Sequence, residues 1–165
     1  MANLVMYDSI TINQIPKTAQ YVAGYVNGLW PTYPSLQKAF PHARLLSIAV
    51  NATANADCLD VETGDASIAD VYDWLNRQFK LGSKKPVIYI QASNVDKLML
   101  TMNANGFKRS EYRLWSAHYS RGDHLCGPNT CTETRTSVDG TQWSDNALGR
   151  NLDQSTLLSN FFTGV

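Results

Sequence analysis

The sequence predicts one α/β domain over residues 1–165, a parallel barrel or sheet whose last connections have lost their helices. Three observations support this prediction. A chain of 165 residues with 44% hydrophobic residues fits a single domain with a sizeable core. Short apolar segments alternate with amphipathic segments through residue 117, which is typical of parallel strand–helix units. From residue 118 to residue 154, strand-like segments continue without an amphipathic helix pattern.

The first six strands are predicted from apolar or alternating runs, which are residues 4–9, 21–26, 44–50, 57–62, 87–91 and 112–117. Gly24 in the second run predicts a close backbone approach. Helices are predicted from helical spacing, an initial proline or a glycine cap, over residues 34–40, 67–80 and 93–105. The remaining elements are a turn or single helical turn at 11–16, a strand at 138–144, an extended piece at 151–153 and a final helix at 155–162.

The charge balance argues against nucleic acid and membrane partners. The 14 basic and 14 acidic residues cancel, which leaves no electrostatic footprint for nucleic acid or an anionic membrane. No apolar run approaches the ~20 residues of a membrane span. The first residues lack the basic and apolar regions of a signal peptide. We therefore expect a monomer, made in the cytoplasm, that would reach an outside target after release or export by another route.

The three cysteines predict one buried side chain and one local disulfide. Cys58 lies inside a strand and is interpreted as a small buried hydrophobe. Cys126 and Cys131 flank a turn-forming stretch at 127–130, and a disulfide closing this hairpin would suit a protein outside a reducing cytosol. We interpret this pair as a poor signal for zinc, because no further cysteine or histidine is recognised at ligand spacing. The prediction is therefore no metal and no cofactor.

Carboxylates mark the ends of several predicted strands. Asp60 and Glu62 are two residues apart, so both side chains leave the same strand face. Asp8 and Asp153 are predicted to lie at or near the carboxyl ends of two other extended segments. In α/β barrels the carboxyl ends of the strands converge on one mouth, where catalytic groups lie. We therefore expect these four acids to be neighbours, whereas Asp65, Asp123, Asp139 and Asp145 are interpreted as solvated loop or cap residues.

Clustered acids with nearby aromatic rings are typical of a glycan-cleaving site. Glycosidic cleavage needs one protonated carboxyl group for the leaving oxygen and one carboxylate for the cationic centre. Neighbouring negative charge and partial burial would keep one acid protonated. Glu62 is the predicted proton donor because its side chain reaches further, with Asp60 and Asp153 as charged partners. The predicted sugar-stacking or cleft-lining aromatics are Trp115, Tyr119 and Trp143, with Tyr7, Trp30 and Tyr89 as further candidates.

Five ordered segments resemble glycoside hydrolase family 25, the muramidase-type lysozymes found in phage endolysins. They are Tyr7–Asp8–Ser9, Asp60–Val61–Glu62, the 115–119 segment, Gln142–Trp143–Ser144 and the 149–153 segment. The resemblance implies a flattened TIM-like barrel of about five β/α units followed by three strands lacking helices. Only about fifty residues separate Asp8 from Asp60, so the first two helical connections are expected to be trimmed.

The family resemblance also implies an activity. It implies cleavage of the β-1,4 bond between N-acetylmuramic acid and N-acetylglucosamine in cell-wall peptidoglycan. Glu62 would be the acid, with Asp8, Asp60 and Asp153 around it, and Gln142 joins the substrate-binding candidates. Such a phage or bacterial lysin would act on the cell wall.

Two other functions remain open at this point. The first is a non-catalytic glycan-binding or virion structural domain on a hydrolase-like barrel, although mere binding would not need the pair Asp60 and Glu62. The second is a hydrolase for another polysaccharide or for a phosphodiester, in which acids act together with histidine and a metal. Of His42, His118 and His124, His118 is closest to the proposed mouth in sequence terms.

Overall fold

The computed structural model describes residues 2–119 and 121–165 and contains a closed barrel of eight strands. In chain order the strands are β1 (Leu4–Asp8), β2 (Tyr21–Tyr25), β3 (Arg44–Ala49), β4 (Cys58–Val61), β5 (Val87–Gln91), β6 (Arg113–Ala117), β7 (Gly140–Ser144) and β8 (Asp153–Leu157). Neighbouring strands from β1 to β7 pair in parallel, and β8 pairs antiparallel with both β7 and β1. The predicted α/β barrel is confirmed.

Helices cover the outside of the barrel only where the connections are long enough. The described residues form α1 (Tyr33–Ala39), α2 (Val71–Lys80) and α3 (Val95–Ala104), which follow β2, β4 and β5. The β1–β2 connection has only a 3-10 turn at Ile12–Gln14. Fewer strand–helix units therefore carry an α-helix than the five predicted. None of the described helices has the length and apolar character needed to cross a bilayer.

The predicted final helix over residues 155–162 is wrong. Residues 153–157 form β8, which pairs with β1 on one side and β7 on the other, and residues after 158 form turns. Leu157 and Phe161 are four residues apart and both fully buried, a spacing that one face of a helix would also show. Pairing with two strands fixes the backbone here more strongly than this local pattern.

Alternation along the strands fills the barrel interior. Every second residue points inward, and the inward apolar cluster includes Met6, Ile48, Cys58 and Leu157. Cys58 is fully buried, as predicted. A Cβ atom on Gly24 would lie 2.2 Å from Leu36 Cδ1, so this glycine allows α1 to pack closely on β2. The close approach predicted at Gly24 is confirmed.

Candidate active site

Antiparallel β8 completes the carboxylate cluster at the barrel mouth, the end at which the seven parallel strands finish. Asp8 is the last residue of β1 and pairs in register with Asp153, the first residue of β8. Because β8 runs in the opposite direction, its beginning lies at the mouth rather than its end, which the sequence did not reveal. Asp60 lies in β4, and Glu62 follows that strand directly.

Gln142 joins the acids of β1 and β8 to two tyrosines. Its Nε2 donates to Asp8 Oδ1 at 3.2 Å and to Asp153 Oδ2 at 3.2 Å. Its Oε1 accepts the hydroxyl proton of Tyr89 at 2.5 Å and also that of Tyr119. A buried amide that donates to two acids and accepts from two phenols holds all four side chains in place.

The pKa values of Asp8 and Asp153 are both raised above their usual range. Burial raises the pKa of Asp8 well above its usual range, and the charge of Asp153 raises it further. Burial raises the pKa of Asp153 to about 6, while a hydrogen bond from Asp8 opposes that rise. Near neutral pH this pattern makes Asp8 the protonated member and leaves Asp153 largely ionised.

A second carboxylate group surrounds the loop after β4. One oxygen each of Asp60, Glu62 and Asp65 lies within 4.8 Å of the others. Asp60 is 2% exposed, and its Oδ1 is buried without a hydrogen-bond partner. Burial, followed by the charges of Glu62 and Asp65, raises the pKa of Asp60 to about 8. Burial and the charges of Asp65 and Asp153 also raise the pKa of Glu62, whose side chain is exposed.

The protonation pattern differs from the division of roles that the sequence predicted. We expected the charge of Asp60 to keep Glu62 protonated. In the structure Asp60 is the more buried acid and holds a proton at neutral pH, and Glu62 is among the charges that raise its pKa. Asp65, interpreted from sequence as a loop residue, belongs to this group. The sequence feature that could have identified Asp65 as part of this group is its position three residues after Glu62 in the same short loop.

The three carboxylates could also hold a divalent cation. Oxygen ligands on a short loop suit Mg²⁺ or Ca²⁺, which bind through carboxylates and retained water. Glu62 and Asp65 are exposed, and exposed acids often lie close together without an ion. The cluster therefore fits a cation without requiring one.

A cavity of about 480 Å³ opens beside these acids. Asp60, Glu62 and Asp65 line it together with Tyr25, Trp30 and neighbouring residues of the loops at the mouth. Trp30 is 57% exposed, so its ring face is available to a ligand. Glu62 also borders a second cavity of about 570 Å³ on the α3 side. The sequence analysis did not predict Tyr25 as a residue of the site, although strand alternation places it on the same inward face of β2 as Ala23.

Two predicted sugar-stacking tryptophans lie away from the cavity, and we revise their roles. Trp115 is 1% exposed, packs edge-on against Tyr89 and donates its indole N–H to Ser155 Oγ at 3.0 Å. Trp143 lies where the β7–β8 register shifts, and it donates to Thr156 Oγ1 at 3.1 Å. Such a bulge re-aims a side chain.

The other predicted aromatic residues lie at different depths in the barrel. Tyr89 is buried below Gln142, and Tyr119 is half exposed at the rim. Tyr7 lies on the outer side of β1, beside the apolar cluster under α1.

The predicted disulfide between Cys126 and Cys131 does not form. All three cysteines are free thiols. Cys126 Sγ lies 3.5 Å from His124 Nε2, and Cys131 Sγ lies 3.6 Å from His118 Nδ1, so each thiol faces an imidazole. His118 Nδ1 therefore faces Cys131 and His124, whereas a histidine-assisted phosphodiesterase would need an imidazole beside the active-site carboxylates.

Replacing Asp60 by Asn is expected to stabilise the fold at neutral and alkaline pH. The pKa of Asp60 rises from 3.8 to about 8 on folding, so the stability of the wild type falls as pH rises between those values. Asn removes that cost, and we expect a gain of about 1–3 kcal/mol at pH 8 that vanishes near pH 4. Denaturant unfolding at pH 4, 6 and 8 measures the difference. Asp73→Asn, on the exposed face of α2, is the matched control, and a D60N gain independent of pH would contradict the assignment.

Comparisons with known proteins support the fold. No protein family matches the chain, and no curated protein matches it. An uncharacterized B. stearothermophilus protein, solved by crystallography at 1.07 Å, matches with a TM-score of 0.62 and 12% identity over 96% of this chain and 98% of that one. The bacterial lysozyme from Streptomyces coelicolor matches with a TM-score of 0.58 and 13% identity over 95% of this chain and 93% of that one. The chain therefore adopts a lysozyme-like α/β barrel fold.

Proposed function

We propose that the protein is a glycoside hydrolase that cleaves β-1,4 bonds of bacterial cell-wall peptidoglycan. The observation that carries the proposal is the position of the exposed Glu62 beside the buried Asp60, at the edge of a cavity that Trp30 borders. The similarity to the S. coelicolor lysozyme agrees with this chemistry. The site of action we propose is the cell wall, reached after release or export.

Glu62 is the proton donor in this proposal. Its side chain is exposed and borders cavities on two sides, so a polymer can extend in both directions from the bond above it. Its raised pKa favours the protonated form needed by a general acid. Asp60, protonated and without a partner for Oδ1, is placed to donate a hydrogen bond to the substrate or to Glu62.

Asp153 is the carboxylate that stabilises the positive charge at the sugar. The oxygens of Asp60 and Glu62 lie within 4.8 Å, closer than the roughly 6.5–9.5 Å of an inverting pair with its water. Asp60 is also protonated, whereas the pKa of Asp153 of about 6 leaves that acid ionised at neutral pH. Gln142 Nε2 donates to both Asp153 and Asp8, which fixes the orientation of Asp153 beside its neighbour on β1.

Replacing Trp30 by Ala is expected to weaken substrate binding more than catalysis. A sugar ring stacked on the exposed indole buries apolar area, and losing that contact should raise KM by about 5- to 30-fold with little change in kcat. Trp30→Phe is the matched control, because it keeps an aromatic face. Steady-state kinetics on solubilised glycan separate the two constants. An unchanged KM in the Ala variant would remove Trp30 from the substrate site.

The test of the function is the release of new reducing ends from purified peptidoglycan, with product masses identifying the bond that breaks. Glu62→Gln, purified in parallel, controls for contaminating hydrolases. Binding without any cleavage by the wild type would favour the glycan-binding alternative.

The cluster of Asp60, Glu62 and Asp65 favours a metal-dependent hydrolase as a second candidate. Cleavage of a phosphodiester that depends on added Mg²⁺ or Mn²⁺, with none of peptidoglycan, would establish that candidate instead.

A further inference from the structure

The β6–β7 loop, residues 118–139, brings two histidines and two cysteines together away from the carboxylates. His118 Nδ1 lies 2.8 Å from His124 Nε2. Cys126 Sγ lies 3.5 Å from His124 Nε2, and Cys131 Sγ lies 3.6 Å from His118 Nδ1. An imidazole nitrogen of His118 and the two sulfurs all lie within 4.8 Å of one another. Three side-chain ligand atoms therefore lie close enough together to share one ion, and His124 Nε2 lies beside two of these residues, His118 and Cys126.

These distances are close to those of a tetrahedral zinc site, which a shift of His124 would complete. With Zn–N of about 2.0–2.1 Å and Zn–S of about 2.3 Å, the nitrogen–sulfur edges of a tetrahedron are about 3.6 Å and the nitrogen–nitrogen edge is about 3.3 Å. The two nitrogen–sulfur contacts match the expected edge. The nitrogen–nitrogen contact is shorter and must open by about 0.5 Å to admit the ion.

Hydrogen bonding prepares His124 as a ligand. Its Nδ1 lies 2.7 Å from the carbonyl oxygen of Gly122, so Nδ1 carries the proton and donates it. Nε2 is then unprotonated and faces Cys126 and His118. Metal-bound histidines typically donate their other ring N–H to a carbonyl or carboxylate in this way. The chain spacings, His-x5-His and Cys-x4-Cys, lie in or near the range of structural zinc sites.

The loop is ordered by hydrogen bonds rather than by regular secondary structure, including those from Thr134 and Thr136 to Asp96. Its described residues form neither helix nor strand over about twenty positions, and loops of this length within compact domains are uncommon. Cys126 and Cys131 are buried, and the backbone N–H of Cys126 donates to Thr141 Oγ1 on β7 at 2.9 Å. A metal here would join the end of β6 to the loop, and His118 directly precedes Tyr119 at the rim of the candidate active site.

We propose that His118, His124, Cys126 and Cys131 bind one structural Zn²⁺ ion. Four protein ligands fill its coordination and leave no position for a substrate. Binding displaces the two thiol protons and replaces the contact between the two imidazoles. The ion would fix the β6–β7 loop and hold Tyr119 against Gln142. This assignment is independent of the proposed hydrolase activity.

Metal content and Co²⁺ spectroscopy test the site. Protein purified without chelators under reducing conditions is expected to contain about one Zn²⁺ per chain. After exchange with Co²⁺, it should show the visible d–d bands of a tetrahedral ion and a near-ultraviolet thiolate-to-cobalt band. Cys126→Ser and His124→Ala should each weaken Co²⁺ binding at least about tenfold. His42→Ala and Cys58→Ala, which alter a remote histidine and a remote cysteine, should retain full stoichiometry.

The thermal unfolding midpoint gives a second readout. Removing the ion with a strong chelator should lower the midpoint of the wild type, and added Zn²⁺ should restore it. In the Cys126→Ser variant neither treatment should shift the midpoint. A chain mass two hydrogens lower, from a Cys126–Cys131 disulfide, would overturn the proposal. Reduced thiols that bind neither Zn²⁺ nor Co²⁺ in the folded wild type would also overturn it.

Discussion

Glu62→Gln is expected to lower the rate of glycan cleavage by about 10²–10⁴-fold, the contribution that a positioned general acid makes. Gln keeps the size of the side chain and its exposed position but has no proton to donate to the leaving oxygen. KM should change little, because the cavity and Trp30 are unaltered. Steady-state rates of reducing-end formation, with far-ultraviolet circular dichroism to confirm folding, measure the effect.

The same variant has a second, independent signature. The charge of Glu62 is the largest electrostatic cause of the raised pKa of Asp60, so its removal should lower the pKa of Asp60 towards its usual range. Carbon-detected NMR titration of the Asp60 carboxyl would show this shift. Glu133→Gln, another exposed glutamate, is the matched control and should leave the rate within about twofold of wild type. A Glu62→Gln enzyme with undiminished cleavage would exclude Glu62 as the acid.

Local patterns predicted most of the barrel because several of the parallel strands, β4 to β6 above all, are buried on both sides. The apolar runs at residues 44–50 and 87–91 correspond to β3 and β5, and the helical spacing after residue 67 corresponds to α2. The pair Asp60 and Glu62 was found from strand alternation alone. The direction of β8 could not be found this way, since a five-residue segment carries no signal for which neighbours it pairs with.

The errors at aromatic and sulfur-containing side chains have a common physical origin. Sequence position places Trp115 and Trp143 near the ends of strands. Whether each ring enters the core, the rim or the outer surface depends on barrel closure and on the bulge in β7. The pairing of His118 with Cys131 likewise depends on how a long loop returns to the barrel wall. Such contacts are set by tertiary packing, which single-residue propensities do not encode.

Asp139→Asn is expected to destabilise the fold by about 3–5 kcal/mol, the cost of breaking a buried ion pair by removing one charge. Asp139 Oδ1 accepts from Arg113 Nη1 at 3.0 Å, and Oδ2 accepts from Arg109 at 2.6 Å and from the Leu114 N–H at 2.9 Å. Arg113 is 6% exposed, so Asn leaves its charge buried without a counter-ion. Sequence reasoning had interpreted Asp139 as a solvated residue.

The destabilisation caused by Asp139→Asn should extend to the end of the barrel opposite the mouth. Arg113 also donates to the carbonyl oxygens of Asn160 at 2.6 Å and Phe161 at 3.1 Å, which holds the fully buried Phe161 ring against the barrel interior. We expect calorimetry to show that the unfolding midpoint of the variant is lower than that of the wild type by roughly 10–15 °C. Arg109→Ala removes the more exposed partner of the same carboxylate and should cost only about 1 kcal/mol. Equal losses in the two variants would mean that burial of Arg113 does not determine the stability of this end.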